Sequence, residues 1–265
     1  MGMMTERNLI SQLKKSAAQA HQPAILWTGN DGWILSDGSL VLATDLDFYL
    51  SLRVSPAPVT LAELGPALDL LLITHEHDDH FSAATVSELI RTSDCCFMLP
   101  YSCREKADQI GIPASRRLMI RPGQKQTYAG IEFSAVRALH GHLYQSVYKG
   151  ASLDDCGYTF TLGGCSMYQP GDTVLLQEHL EMPSADVLFV SPTEHNTHIK
   201  PSCQMISAIR PKWVVAQHFG TYQSNADNTF WTQGYPDELR AQLDDQYQRH
   251  FIIPKPGEIY QLSAR

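Results

Sequence analysis

The stretch DLLLITHEHDDH, residues 69 to 80, narrows the folds open to this chain more than any other. Its first half is an aliphatic run of strand length, and its second half places His75, Glu76, His77, Asp78, Asp79 and His80 in six consecutive positions. Side chains alternate along extended chain, so His75 and His77 project to one side and Glu76 to the other. The helical zinc motif HExxH requires histidine at position 79, and aspartate stands there. What remains is H-x-H-x-D-H: His75, His77, Asp79 and His80. Four such ligands in so short a loop exceed what one metal shares easily, and they suit two metals side by side.

A dinuclear site needs further ligands, and other strand ends supply candidates. AVRALHGH ends a strand at His140, with His142 two residues on; YQPGD ends one at Asp172; WVVAQHFGTY ends one at His218. Each comes where an aliphatic run meets a turn containing glycine. Taken singly each is an ordinary turn or capping residue. Taken with the first motif they read as one ligand set.

The rest of the chain alternates between short strands and helices. Leu9, Ile10, Leu13, Ala17 and Ala20 recur at helical spacing and predict an amphipathic helix over residues 5 to 20. Strands are expected at 24–27, 32–38, 39–45 and 69–74, the second and third joined at Asp37-Gly38. A helix capped by Ser82 follows, then a strand at 95–100, a helix at 102–110 and several strands over 117–140. GYTFTLGGCSMYQPGD reads as a hairpin turning at Gly163-Gly164. Beyond it come helices near 173–181, 201–209 and 236–247, with strands at 185–191, 212–218, 251–254 and 258–262. Strands dominate each half, and the halves are echoes of one another. The pattern predicts two mixed sheets face to face with helices outside, an α/β (α+β) architecture. Residues 1–22 are expected to form a helical extension and 23–265 the main domain.

Composition excludes several classes. With 265 residues and 43% hydrophobic content the chain can bury a substantial core as one domain. Lys and Arg number 20 against 28 Asp and Glu, and the net charge of -8 disfavours a nucleic-acid partner. The opening MGMMTERNLISQLKKSAAQAHQP has no apolar secretory core, and no stretch reaches the length of a membrane span, so a cytoplasmic location is expected. The six cysteines are scattered without a CxxC pair and read as buried free thiols.

H-x-H-x-D-H, followed by a strand-ending His140, the G-D-T at 171–173 and the H-F-G-T at 218–221, resembles the metallo-β-lactamase superfamily of metal-dependent hydrolases over nearly the whole chain from about Ala24. WTGNDGWIL, TDLD, GDTVLLQEHL, ADVLFVSP and PKWVVAQHFGT are most similar to the branch containing L-ascorbate-6-phosphate lactonase. Asn30 stands where that branch commonly has histidine, and Leu46 where many members have proline. The resemblance implies a four-layered αβ/βα sandwich with a metal site at one edge. It implies that His75, His77 and His140 bind one metal and Asp79, His80 and His218 a second, with Asp172 bridging. Asp45 would stand behind a ligating histidine and orient it.

The chemistry expected is cleavage of a lactone, ester or phosphoester by a hydroxide held between two divalent ions, zinc ahead of manganese or iron. Asp79 or Asp172 would take the proton. His142 and His198 are expected to contact substrate or protonate the leaving group, while His195 reads with them as a loop histidine exposed to solvent. The expected partner is a small molecule, an anionic sugar phosphate or a lactone, with no membrane and with a homo-oligomer left open. Alternatives from other classes are an RNA or phosphodiester nuclease, a di-iron redox protein, and a non-catalytic metal-binding protein. Histidine-rich ligation fits hydrolysis better than oxygen chemistry.

Overall fold

In the computed structural model, residues 8–144 and 146–265 are described. The strands are β1 (Ala24–Gly29), β2 (Gly32–Ser36), β3 (Val41–Thr44), β4 (Leu70–Leu72), β5 (Cys96–Pro100), β6 (Arg117–Ile120), β7 (Lys125–Tyr128), β8 (Ile131–Arg137), β9 (Cys156–Leu162), β10 (Cys165–Gln169), β11 (Val187–Val190), β12 (Trp213–Ala216), β13 (Phe251–Ile252) and β14 (Ile259–Gln261). They form two seven-stranded sheets, ordered β14-β1-β2-β3-β4-β5-β6 and β13-β12-β11-β10-β9-β8-β7. The halves echo each other strand for strand. The β14-β1-β2-β3 pairings are antiparallel and β3-β4-β5-β6 parallel. In the other sheet β7-β8-β9-β10 are antiparallel and β10-β11-β12-β13 parallel.

Alternation along the strands builds four layers. Leu70 and Leu72 of β4 point between the sheets with Ile25, Trp33, Phe133, Tyr158 and Phe189, while Leu71 between them points outward. The outer face of the first sheet is covered by α1 (Leu9–Ala20), which buries Ile10, Leu13 and Ala17, and by the helix at Ala83–Thr92, which buries Val86 and Leu89. Residues 5–7 of the expected first helix lie outside the described residues. After α1 come α2 (Leu61–Leu64), α3 (Ala83–Thr92), α4 (Arg104–Ile110), α5 (Gln177–Leu180), α6 (Ile199–Ile209), α7 (Thr229–Thr232), α8 (Pro236–Ala241) and α9 (Asp245–Gln248). Met205, Ile206 and Ile209 of α6 and Leu239 of α8 cover the outer face of β10, β11 and β12. Strands buried on both faces explain why their sequences are nearly continuous hydrophobic runs.

Several expected elements are shorter or broken. The helix expected at 236–247 is two pieces, α8 and α9, separated at Gln242–Asp244. The segment expected to be helical near 173–181 yields only the four residues of α5. The stretches holding α2 and α7 carried no assignment, since four-residue helices are too short to show a period. Thr60 and Glu63 close a capping box on α2. No helix among the described residues is long and apolar enough to cross a membrane.

Two contacts lock the sheets together beside the polar strand ends. Tyr158 of β9 donates its hydroxyl to the Ile73 carbonyl at 2.6 Å, two residues before His75. Gly171, at φ +63°, lies so close to Thr74 that a Cβ would sit 2.6 Å from the threonine Cβ. This approach sets Asp172 opposite His75 and explains the glycine of G-D-T. Gly171→Ala should lower stability by about 2 to 4 kcal/mol, combining left-handed strain with overpacking. The corresponding drop in Tm is about 5 to 15 °C, read by calorimetry; an unchanged Tm would show that the two loops separate freely.

Candidate metal centre

The polar cluster lies along the ends of β1, β3, β4, β10, β11 and β12. Asn30 follows β1, Asp45 follows β3, His75 to His80 follow β4, Asp172 follows β10, and His218 follows β12. Asn30, Asp45 and His218 have φ of +51°, +38° and +59°. A left-handed conformation at three non-glycine residues of one cluster is strain held by the surrounding fold.

Asp172 is the centre of the arrangement. Its Oδ2 lies 2.7 Å from His195 Nε2, 3.3 Å from His140 Nε2, 3.4 Å from His218 Nε2 and 3.6 Å from His80 Nε2. Its Oδ1 accepts from Asn196 Nδ2 at 2.9 Å. On one side, ligand atoms of His75, His77 and His140 gather within 4.8 Å of one another; on the other, those of Asp79, His80 and His218 do the same. A third such group joins His140, Asp172 and His195.

The imidazoles are oriented from behind. His80 Nδ1 donates to Asp45 Oδ2 at 2.9 Å, leaving Nε2 to face the cluster. Asp45 also accepts from the Thr74 amide and hydroxyl, which fixes the carboxylate itself. His140 Nδ1 donates to the Gly141 carbonyl at 2.7 Å, again turning Nε2 inward. Asn30 Nδ2 donates to Asp79 Oδ2 at 3.0 Å. Asn30→Ala should weaken divalent-metal affinity by about 10- to 100-fold, the usual consequence of losing a partner behind a ligand. Metal titration calorimetry reads it, and an affinity within twofold of the parent would assign Asn30 a different task.

The cluster is built for cations. Among the described residues, His80 Nε2 and both ring nitrogens of His218 are buried without a hydrogen-bond partner, a costly condition for polar atoms unless something binds them. Burial first, then the neighbouring His80, drives His75 well below the ordinary imidazole range. Burial also brings His77 and His195 down to about 4, so both present lone pairs at neutral pH. Burial opposes ionisation of Asp172, yet His218, His195 and His80 outweigh it and hold the carboxyl well below its usual range. Asp79 is lowered likewise, with His80 overcoming burial. Neutral nitrogens beside anionic oxygens are the donor set of divalent transition ions.

Two histidines go the other way. Burial pulls against protonation of His218, but Asp172 leads the carboxylates that raise it to about 9. His80 is raised too, with Asp79 and Asp172 overcoming burial. His218 therefore carries a proton below about 9 in the metal-free protein, against about 6.5 unfolded. Its stabilising charge is fully present below about 6.5 and is lost as pH rises through about 9. A metal ligand must be neutral, so ion uptake at pH 7.5 should expel protons, and affinity should climb with pH toward about 9. Calorimetry in two buffers of unequal ionisation heat measures the release; none at pH 7.5 would contradict the protonated state.

Sequence reasoning placed some residues differently. His195, expected on an exposed loop, is buried at 3% exposure and sits closest of all to Asp172. Its Nδ1 hydrogen-bonds with Thr193 Oγ1 at 2.9 Å. The available signal was its place five residues after β11, the same strand-end position that carries the other ligand candidates. Asp31 was also missed: it is fully buried, its Oδ2 is 3.8 Å from His80 Nδ1, and burial pushes it up to about 8. His142 lines the cavity above the cluster. His198 does not; its ring stands 5.6 Å from that of Tyr235 and 6.4 Å from that of Tyr144. Glu76 points to solvent, with its carbonyl accepting from Lys106. Asp78 lies at the cavity rim, 2.7 Å from Lys106 Nζ.

Two facing mixed sheets with histidines and aspartates converging at one edge define a class of fold built around metal-dependent hydrolysis. The chain belongs to the β-lactamase superfamily: the family model for the β-lactamase superfamily domain matches residues 24–218. It is 28% identical to a UPF0173 metal-dependent hydrolase of Anaeromyxobacter sp. (strain K), over 87% of this chain and 84% of that protein. Igni18, a metallo hydrolase from Ignicoccus hospitalis, shares the fold at a TM-score of 0.71 and 20% identity, over 92% of this chain and 100% of that one. An isothiocyanate hydrolase from Delia radicum gut bacteria does so at 0.69 and 16% identity, over 91% and 100%.

Proposed function

We propose that this metal-dependent hydrolase holds two divalent ions and cleaves an activated carbonyl, that of a lactone or ester. The observation that carries the reading is the position of Asp172 Oδ2, within 3.6 Å of four imidazole nitrogens drawn from both sides of the cluster. A divalent pair bound there supplies water acidified toward a pKa of about 7 and a Lewis acid for the carbonyl oxygen. His75, His77 and His140 would hold one ion, and Asp79, His80 and His218 the other, with Asp172 between. His195 closes the set beside Asp172.

The remaining chemistry belongs to the cavity-lining groups. Both carboxylates line the cavity, but the Asp172 side chain is 2% exposed and ringed by histidines, whereas that of Asp79 is 14% exposed. Asp79 is therefore the carboxylate placed to accept the attacking water's proton. His142, exposed at the rim, is placed to return a proton to the departing oxygen. The apolar lining from Leu50, Leu52, Phe230 and Trp231 favours an uncharged carbonyl compound over a phosphoester.

A panel of lactones, carboxylic esters and phosphodiesters, assayed with zinc- and manganese-loaded protein, tests the reading. Turnover of at least one carbonyl class, abolished by chelation and restored by metal, is expected. Fully loaded protein that turns over only the phosphodiesters would replace this reading with a nuclease.

A further inference from the structure

The cavity over the cluster has a volume of about 400 Å³, small among ligand pockets. Its walls differ sharply in chemistry. Part of the lining is imidazole and carboxylate, and the rest is largely apolar: Leu50, Leu52, Tyr148, Phe230 and Trp231. No Lys or Arg is among the described residues that line it. Two cations on adjoining loops are committed elsewhere, and Lys149, next to Tyr148 and exposed, is not part of the lining. Lys106 Nζ donates to the Glu76 carbonyl and the Asp78 carboxylate, and the Arg53 guanidinium donates to the carbonyls of Asp47, Thr28 and Ser55.

The apolar wall is held in place. The Phe230 carbonyl accepts from the His195 amide at 3.3 Å, and its ring meets those of His142 at 5.4 Å and His195 at 6.2 Å. The Trp231 ring lies 5.7 Å from that of Tyr222, whose buried hydroxyl donates to Asp47 Oδ2. Substrate atoms beyond the scissile bond thus meet fixed hydrocarbon. A phosphate carried away from the reacting carbon meets no Lys or Arg among the described residues lining the cavity, and desolvating it against that wall carries a large penalty.

We propose that the site selects neutral acyl compounds whose aliphatic or aryl substituent lies against Leu50, Leu52, Phe230 and Trp231, and that it excludes phosphorylated sugars. The proposal rests on the carbonyl-hydrolase reading for the identity of the reacting group, but the wall acts on binding alone. Calorimetric Kd values for n-alkyl hydroxamic acids of two to six carbons on the zinc-loaded protein test it without turnover. Each added methylene should tighten binding about fourfold, the transfer value of a buried CH2. Leu52→Ala and Trp231→Ala should flatten the series, and glucose 6-phosphate should not compete. Leu52 is 36% exposed, so its truncation spares the fold even where Trp231→Ala does not. A flat series in the parent protein, or displacement of hexanohydroxamate by glucose 6-phosphate, would overturn the proposal. A steep series in a protein that hydrolyses no lactone or ester sustains the apolar wall and removes the carbonyl-cleavage reading.

Discussion

Asp172→Asn is expected to cost at least about a thousandfold in kcat/KM, about 4 kcal/mol of transition-state stabilisation. The asparagine keeps the shape and the hydrogen bond with Asn196, so loss of fold is not the cause. What disappears is the one negative charge that His80, His140, His195 and His218 share. Without it, the charge balance that favours two cations in one buried cluster fails. The variant should retain one ion or none where the parent holds two. A loss under tenfold on the preferred substrate would place the chemistry away from Asp172.

Metal binding should also stabilise the protein strongly. Asp79 and Asp172, both held ionised, lie within 3.6 Å of His80 and His218, whose imidazolium charge balances them in the metal-free state. Divalent ions replace that balance and bind only the folded cluster. At a free concentration one hundred times Kd, the gain is about 2.7 kcal/mol per site. For a domain of this size that raises Tm by about 5 to 10 °C. Thermal melts of chelator-stripped protein with added zinc measure it, and superimposable curves with and without zinc would exclude a structural role for the ions.

Much of this was legible in the sequence because strands buried on both faces announce themselves. DLLLIT, ADVLFVS and KWVVAQH lie on β4, β11 and β12, and Gly163-Gly164 turns β9 into β10. The two-sheet architecture followed from such runs and from the helices between them. The H-x-H-x-D-H run was legible because its spacing is local. His195 was not, because its partner Asp172 is 23 residues away and only the fold shows that they meet. Asp31 escaped for a related reason: an aspartate beside Gly32 in a hairpin looks like a turn residue until its burial is known. Phe230 and Trp231 occupy a four-residue helix that leaves no periodic trace, yet they supply much of the cavity's apolar wall.

The metal content of the purified protein bears most directly on the central claim. Elemental analysis after saturation with zinc and removal of loosely held ions should give two ions per chain, falling to one or none in Asp172→Asn. A parent protein that saturates at a single ion, or binds none, would contradict a dinuclear site built around Asp172.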